Sequence, residues 1–173
     1  TSQEPSDSPC EPTDLAAMYA CRRQMRASSV RSTPALHAGL GLEAYCRATS
    51  PLRRYLDLVV HQQLRLFLSG APVLDTEEIT RRIGETEEVV KSVSRLERLS
   101  NLHWTLVYLM QNPDWQGTGV VVEKRDRLST VIVPELALEV KMPLPRDIPL
   151  NGEVRLKTAG IDLPNLTVNL DVV

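Results

Sequence analysis

The residues Asn112-Pro113-Asp114 divide the chain into two textures. Before them, apolar residues recur at steps of three and four. After them, apolar residues come in short runs separated by turn residues. A chain that changes its apolar period at a proline is neither a plain helical bundle nor a plain sandwich. It is expected to be α+β, with the two kinds of element separated along the sequence.

Upstream of the break, Asp75-Thr76-Glu77-Glu78 has the arrangement of a capping box, with Asp75 as cap and Glu78 reaching back. Ile79, Ile83, Val90, Val93, Leu96, Leu102, Leu106 and Leu109 follow at helical spacing. They predict one long helix running almost to Gln111 with one side buried. The same step lands on Glu97, and a carboxylate on an apolar line needs a partner. The plainer alternative is a rim glutamate paired with Arg95 or Arg98. Asp14 is placed to cap a short helix through Leu15, Met18 and Tyr19 toward Met25. Residues 1–14 read as a loop or disordered arm rich in Ser, Pro and acids.

Downstream, Gly119 to Val122, Ser129 to Val133, Leu138 to Val140, Val154 to Leu156 and Leu166 to Val172 read as strands. About five strands in under ~70 residues is the size of a small OB-type barrel. The divisions expected are 1–14 (arm), 15–112 (helical part) and 113–173 (barrel).

Charge excludes one simple reading. The net charge is −2 and the pI about 5.9, so no global basic field advertises nucleic acid. The distribution is uneven: Leu15 to Leu42 holds no acid but carries Arg22, Arg23, Arg26 and Arg31. Cys10, Cys21 and Cys46 are widely spaced with no CxxC pair. That argues against a disulfide framework or zinc site and for free thiols in a reducing cytoplasm. No apolar run is long enough to span a membrane.

The most specific stretch is Tyr45-Cys46-Arg47-Ala48-Thr49-Ser50-Pro51-Leu52-Arg53-Arg54-Tyr55-Leu56-Asp57 and on to His61. Ser50 suits a helix N-cap and Pro51 the first helical position. Leu52, Leu56, Val59, Val60 and Phe67 then share one side, and Gly70 is a stop. Arg53 and Arg54 would sit in the first turn, where the helix dipole disfavours cations by a few tenths of a kcal/mol each, roughly. A bound anion removes the conflict, since free amides, a Ser hydroxyl and a guanidinium make a phosphate site. The alternative is that both arginines face water or pair with Asp57. Asp57 and His61, one turn apart, are either a catalytic pair or a hydrogen bond that fixes the helix.

This stretch resembles the signature near the end of the catalytic domain in the ribonuclease II and ribonuclease R family, of the form Tyr…Thr-Ser-Pro-(Ile/Leu)-Arg-(Arg/Lys)-Tyr…Asp…His. The resemblance implies the helical C-terminal part of an RNB-type catalytic domain, followed by an OB-type RNA-binding barrel. It implies a magnesium-dependent 3′→5′ exoribonuclease acting on single-stranded RNA, with Arg53 clamping a phosphate beside the scissile bond. Ser50 and Arg54 would support that site or its packing, Tyr45 would either stack on a base or sugar or pack with its hydroxyl bonded, and Glu97 is matched to a glutamate near the last nucleotide. Arg22, Arg23 and Arg26 are then either RNA contacts or a solvated face.

The family's magnesium is held by clustered aspartates, and no close cluster occurs here. The ligands are therefore expected outside this segment, in an N-terminal remainder of the same protein, leaving the segment inactive alone. The barrel has no aromatic residue after Trp115, so base stacking there is weakly signalled. The rival function is a non-catalytic single-stranded RNA-binding module. No membrane partner is expected, and the location expected is cytoplasmic.

Overall fold

The computed structural model describes residues 1–5 and 12–173. Packing divides them into two compact units: Met25–Ser94 with residues 1–5, and Arg95–Val173 with residues 12–24. The division falls inside a helix, between Ser94 and Arg95, and so differs from the sequence boundary at 112/113.

The second unit is a five-stranded antiparallel barrel, nearly closed, built from β1 (Gln116–Arg125), β2 (Leu128–Val133), β3 (Leu138–Met142), β4 (Glu153–Asp162) and β5 (Thr167–Val172). The strand order is β3-β2-β1-β4-β5. The fourth strand returns beside the first, as in an OB-type barrel. All five strands lie where the apolar runs predicted them. Inward positions are filled by Val121, Val131, Val133, Leu138, Val154, Leu156 and Leu170, with Trp115 packed among them. Leu106 and Leu109, at the end of the long helix, close the same core.

A register shift between Val121 and Glu123 lets two successive residues of β1 both be buried. Val121 faces the barrel interior, while Val122 packs with Ala16 and Tyr19. Gly119 is required by close approach. A Cβ there would stand 2.5 Å from Val131 Cγ1 and 2.6 Å from Leu156 Cδ1.

Helix α1 (Leu15–Gln24) belongs to this unit. Asp14 caps it as predicted, accepting the Ala17 N–H at 2.8 Å, and that bond holds the Asp14 carboxyl below its usual range. The Ala16 N–H goes to Asn151 Oδ1 (2.8 Å), on a residue whose φ of 61° an asparagine tolerates. Tyr19 donates its hydroxyl to Glu139 (2.8 Å). Burial, and then the Glu139 carboxylate, push that phenol upward. Arg22 pairs with Glu139 and Arg23 with both oxygens of Glu123. Arg22 and Arg23 are thus paired with strand glutamates rather than forming a free basic face. The pairs are largely exposed, so water and salt screen them and they add little to stability.

The first unit contains α2 (Tyr55–Leu68) and the start of α3 (Thr76–Gln111). Helix α2 begins four residues later than the sequence suggests. Ser50 does not cap it. The Arg53 and Arg54 N–H groups close a single turn on the Ser50 carbonyl (3.3 and 3.0 Å), then Arg54 is extended (φ −125°, ψ 106°) and is itself the cap residue. Gly70 does end the helix, at φ +70°, with the Ala71 N–H bonded back to the Leu66 carbonyl. The Gln63 side-chain amide then pairs with both backbone groups of Leu74 (2.8 and 2.9 Å), fixing the link to α3.

At the start of α3, Asp75 caps the Glu78 N–H (2.8 Å). Glu78 does not reach back as a capping box requires; its carboxylate is taken by Arg81 and Arg82 (2.7 Å each). Those hydrogen bonds hold the Glu78 carboxyl down to about 2.

Three further expectations are corrected. The stripe on α3 is buried only at Leu106 and Leu109; Ile79, Ile83 and Leu102 are half-buried, and Val90, Val93 and Leu96 are exposed. Glu97 is therefore exposed too, and pairs with neither Arg95 nor Arg98 among the described residues. Residues 1–5 are not a loose arm. Ser2 is buried and bridges Ser29, Gln3 bridges His37, and Glu4 pairs with Arg26. Finally, Cys21 is disulfide-bonded and Cys46 is a free, exposed thiol. Cys10 lies outside the described residues. The thiols are thus no argument for a reducing compartment. No helix among the described residues is long and apolar enough to cross a membrane.

Candidate functional site

The signature residues converge on one buried carboxylate. Asp57, in the first turn of α2, is 1% exposed. Its Oδ2 accepts the Ser50 N–H (2.9 Å) and two bonds from Arg54, Nε at 3.0 Å and Nη2 at 2.6 Å. Arg47 Nε stands 3.6 Å from Oδ1, contributing charge but no hydrogen bond. Burial alone would raise the Asp57 carboxyl. The Ser50 amide, the Arg54 hydrogen bonds and the two guanidinium charges outweigh it and hold the group below its ordinary value. At neutral pH Asp57 is an anion.

Two further bonds hold the same loop. Arg54 Nη2 donates to Thr49 Oγ1 (2.9 Å), and His61 Nε2 lies 2.7 Å from the Ala48 carbonyl. Asp57 and His61 are therefore not bonded to each other. Each braces the Ala48–Pro51 loop from its own turn of α2. Thr49, Ser50, Arg54, Asp57 and His61 form a brace, which explains why the stretch needs these residue types at this spacing. In the sequence Arg47 counts only as one of the basic residues of the N-terminal half, with Arg53 and Arg54; its place beside Asp57 comes from the fold.

Arg53 differs from its neighbours. It is exposed, and among the described residues its side chain makes no hydrogen bond or ion pair. The dipole conflict inferred from sequence does not arise, because α2 starts after both arginines and carries Asp57 in its first turn. What distinguishes Arg53 is that the buried anion is already taken by Arg54 and Arg47. A guanidinium on a braced loop with all its donors free is suited to a phosphate.

The other predicted residues lie as follows. Tyr45 is half-buried, edge-on to His37 at 5.4 Å between ring centroids. The Ser50 amide is spent on Asp57. Glu97 lies on the barrel-side half of α3, in the other compact unit. Among the described residues no three His, Cys, Asp or Glu side chains gather to hold a metal. The described residues do not fit a magnesium site.

Comparison with known proteins places this arrangement. Residues 7–70 match the RNB domain. An uncharacterized ribonuclease of Synechocystis is 35% identical over 147 residues, covering 83% of this chain and 22% of the relative. Ribonuclease R of Thermotoga maritima is 36% identical over 86 residues, 49% of this chain and 12% of that protein. Among solved structures, Mycoplasma genitalium RNase R in complex with ribose-methylated single-stranded RNA superposes with a TM-score of 0.71 at 16% identity, covering 91% of this chain and 29% of that one. An active-site mutant of the Dss1 exoribonuclease from Candida glabrata gives 0.74 at 24%, covering 91% and 21%.

The fold is thus that of the exoribonucleases with an RNB domain. The chain belongs to the ribonuclease II and ribonuclease R family, and spans about a fifth of the length of the first of these relatives.

Proposed function

We propose that this chain is part of a magnesium-dependent 3′→5′ exoribonuclease that hydrolyses single-stranded RNA, and that Arg53 holds a phosphate at or beside the scissile bond. The observation that carries this reading is the division of labour between adjacent arginines. Arg54 is engaged by buried Asp57, while Arg53 is presented on the braced loop with free donors. Arg54, Asp57, Thr49 and His61 act in this reading as positioning residues. Tyr45, Ser50 and Glu97 are secondary candidates for RNA contact.

Magnesium ligands would come from outside this segment. The remainder of the same protein is the natural cover for the exposed Leu52, Phe67, Leu68, Val90, Val93 and Leu96.

The test uses the full-length protein with 5′-labelled single-stranded RNA and magnesium. A ladder of 5′-labelled products shortening from the 3′ end is expected. Binding measured without divalent ions should lose affinity with salt, and Arg53→Ala should lower the slope by about one charge. An unchanged slope removes Arg53 from the phosphate. Absence of any shortening removes the exonuclease reading.

A further inference from the structure

The barrel unit holds a cleft that the reading above leaves unused, a cavity of about 700 Å³ between α3 and the Pro134–Leu136 turn. Arg98, Asn101, Trp104 and Tyr108 line it from one side of the helix, with Glu135 opposite and Leu138 in the wall. The two aromatics are one turn apart, and neither is consumed by the core: Trp104 is 64% and Tyr108 44% exposed. Arg22 and Arg23 of this unit are taken up by strand glutamates. Arg98 and Glu135 line the same cleft, yet among the described residues neither forms an ion pair.

We propose that this cleft is a base-stacking subsite for single-stranded RNA. The proposal rests on the RNA-binding reading of the chain and supplies what the strands lack, since β1 to β5 contain no aromatic side chain. An indole and a phenol at helical spacing offer faces on which any base stacks. The Arg98 guanidinium is free to meet a phosphate. Glu135 accepts only, so it repels the phosphate and accepts from base N–H groups. Unpaired charges of opposite sign thus orient a nucleotide, with its phosphate toward Arg98 and its base edge toward Glu135. An apolar protein partner would leave both charges desolvated and unpaired.

The test measures binding of the full-length protein, in chelator, to an oligoadenylate of about 16 nucleotides, the upper site size for one such barrel. The same backbone made abasic serves as control. Trp104→Ala should weaken oligoadenylate binding about tenfold, with Tyr108→Ala weaker in the same direction and Trp104→Phe nearly neutral. Abasic RNA should bind wild type and Trp104→Ala alike. Because Trp104 is exposed, these variants should keep the wild-type melting temperature; Tyr108→Ala carries the test if Trp104→Ala does not fold.

Equal binding of oligoadenylate by wild type and both alanine variants overturns the subsite and leaves the cleft to a protein partner. Equal losses on oligoadenylate and abasic RNA also overturn it, since stacking needs the base. If wild type binds RNA while Trp104→Ala is unaffected, only this proposal falls. If wild type binds neither RNA, the RNA reading falls with it.

Discussion

The barrel unit and the helical unit are held together differently. The barrel has a filled apolar interior, with Leu106, Leu109, Val121, Val131, Val133 and Leu156 wholly out of water. In the helical unit Val59 is buried, but Leu52, Phe67 and Leu68 are exposed, and among the described residues the most buried side chain is a carboxylate, Asp57. One unit is ordered by packing. The other is ordered locally by an ionic and hydrogen-bonded brace, with its apolar surface left over for something else to cover. A brace of that kind fixes a loop more than it adds stability, because removing two charges from water offsets much of their attraction.

The largest expected effect follows from packing. Leu156→Ala should cost about 3–4 kcal/mol in denaturant unfolding of the barrel, from lost transfer energy and the cavity left behind. Phe67→Ala should cost under about 0.5 kcal/mol in this chain, since its side chain is exposed here. Comparable losses at both sites would erase the contrast. In the full-length protein a larger cost at Phe67 would show that the remainder covers it.

An intermediate effect is expected at the brace. Asp57→Asn leaves Arg54 and Arg47 without their anion and should cost about 2 kcal/mol, less than for a fully buried pair because Arg54 is partly exposed. The sign with pH follows from the depressed Asp57 carboxyl. Its contribution is complete above the ordinary carboxylate range and is lost as pH falls through its lowered value. The melting difference between wild type and Asp57→Asn should therefore shrink on acidification. A difference that holds constant to low pH would mean the charge is not what matters.

The smallest effect lies at the start of α3. Glu78 titrates near 2 instead of 4.5, so its pairing with Arg81 and Arg82 stabilises the helix above pH 4.5 and fades between there and about 2. Glu78→Gln should lower the melting temperature slightly at neutral pH and leave it unchanged at the acid end of that window. Arg81 is exposed and Glu78 and Arg82 are only half-buried, so salt should shrink the effect.

Much of the fold is legible in the sequence, for identifiable reasons. The strands show as short apolar runs between turns, and β1 through β5 lie where those runs are. Asp14, Asp75 and Gly70 mark helix ends because their chemistry is local. The start of α2 is misleading because Ser50-Pro51 has every local mark of a helix start. The competing event is a contact seven residues away, where Asp57 takes the Ser50 amide. The pairing of α1 with the barrel is invisible locally, since Arg23 and Glu123 are a hundred residues apart. The stripe on α3 is helical as its spacing implies but is buried only where it meets the barrel, at Leu106 and Leu109, because burial depends on what else is present. At the candidate site, the resemblance singles out Arg53, while spacing leaves both arginines open to pairing with Asp57; in the structure Arg54 takes that pairing and Arg53 does not.

One experiment separates the roles of Arg53 and Arg54. Single-turnover cleavage of a short single-stranded RNA by saturating full-length enzyme should be compared for wild type, Arg53→Ala, Arg53→Lys and Arg54→Ala, with a melting curve for each. Arg53→Ala should slow cleavage by about two to three decades, equivalent to roughly 2–4 kcal/mol of barrier, at an unchanged melting temperature. Arg53→Lys should recover only part, since an ammonium lacks the planar fork. Arg54→Ala should lower the melting temperature and cost less in rate. If Arg53→Ala cleaves at the wild-type rate with its fold intact, Arg53 is not the phosphate contact and the division of labour between the two arginines is wrong.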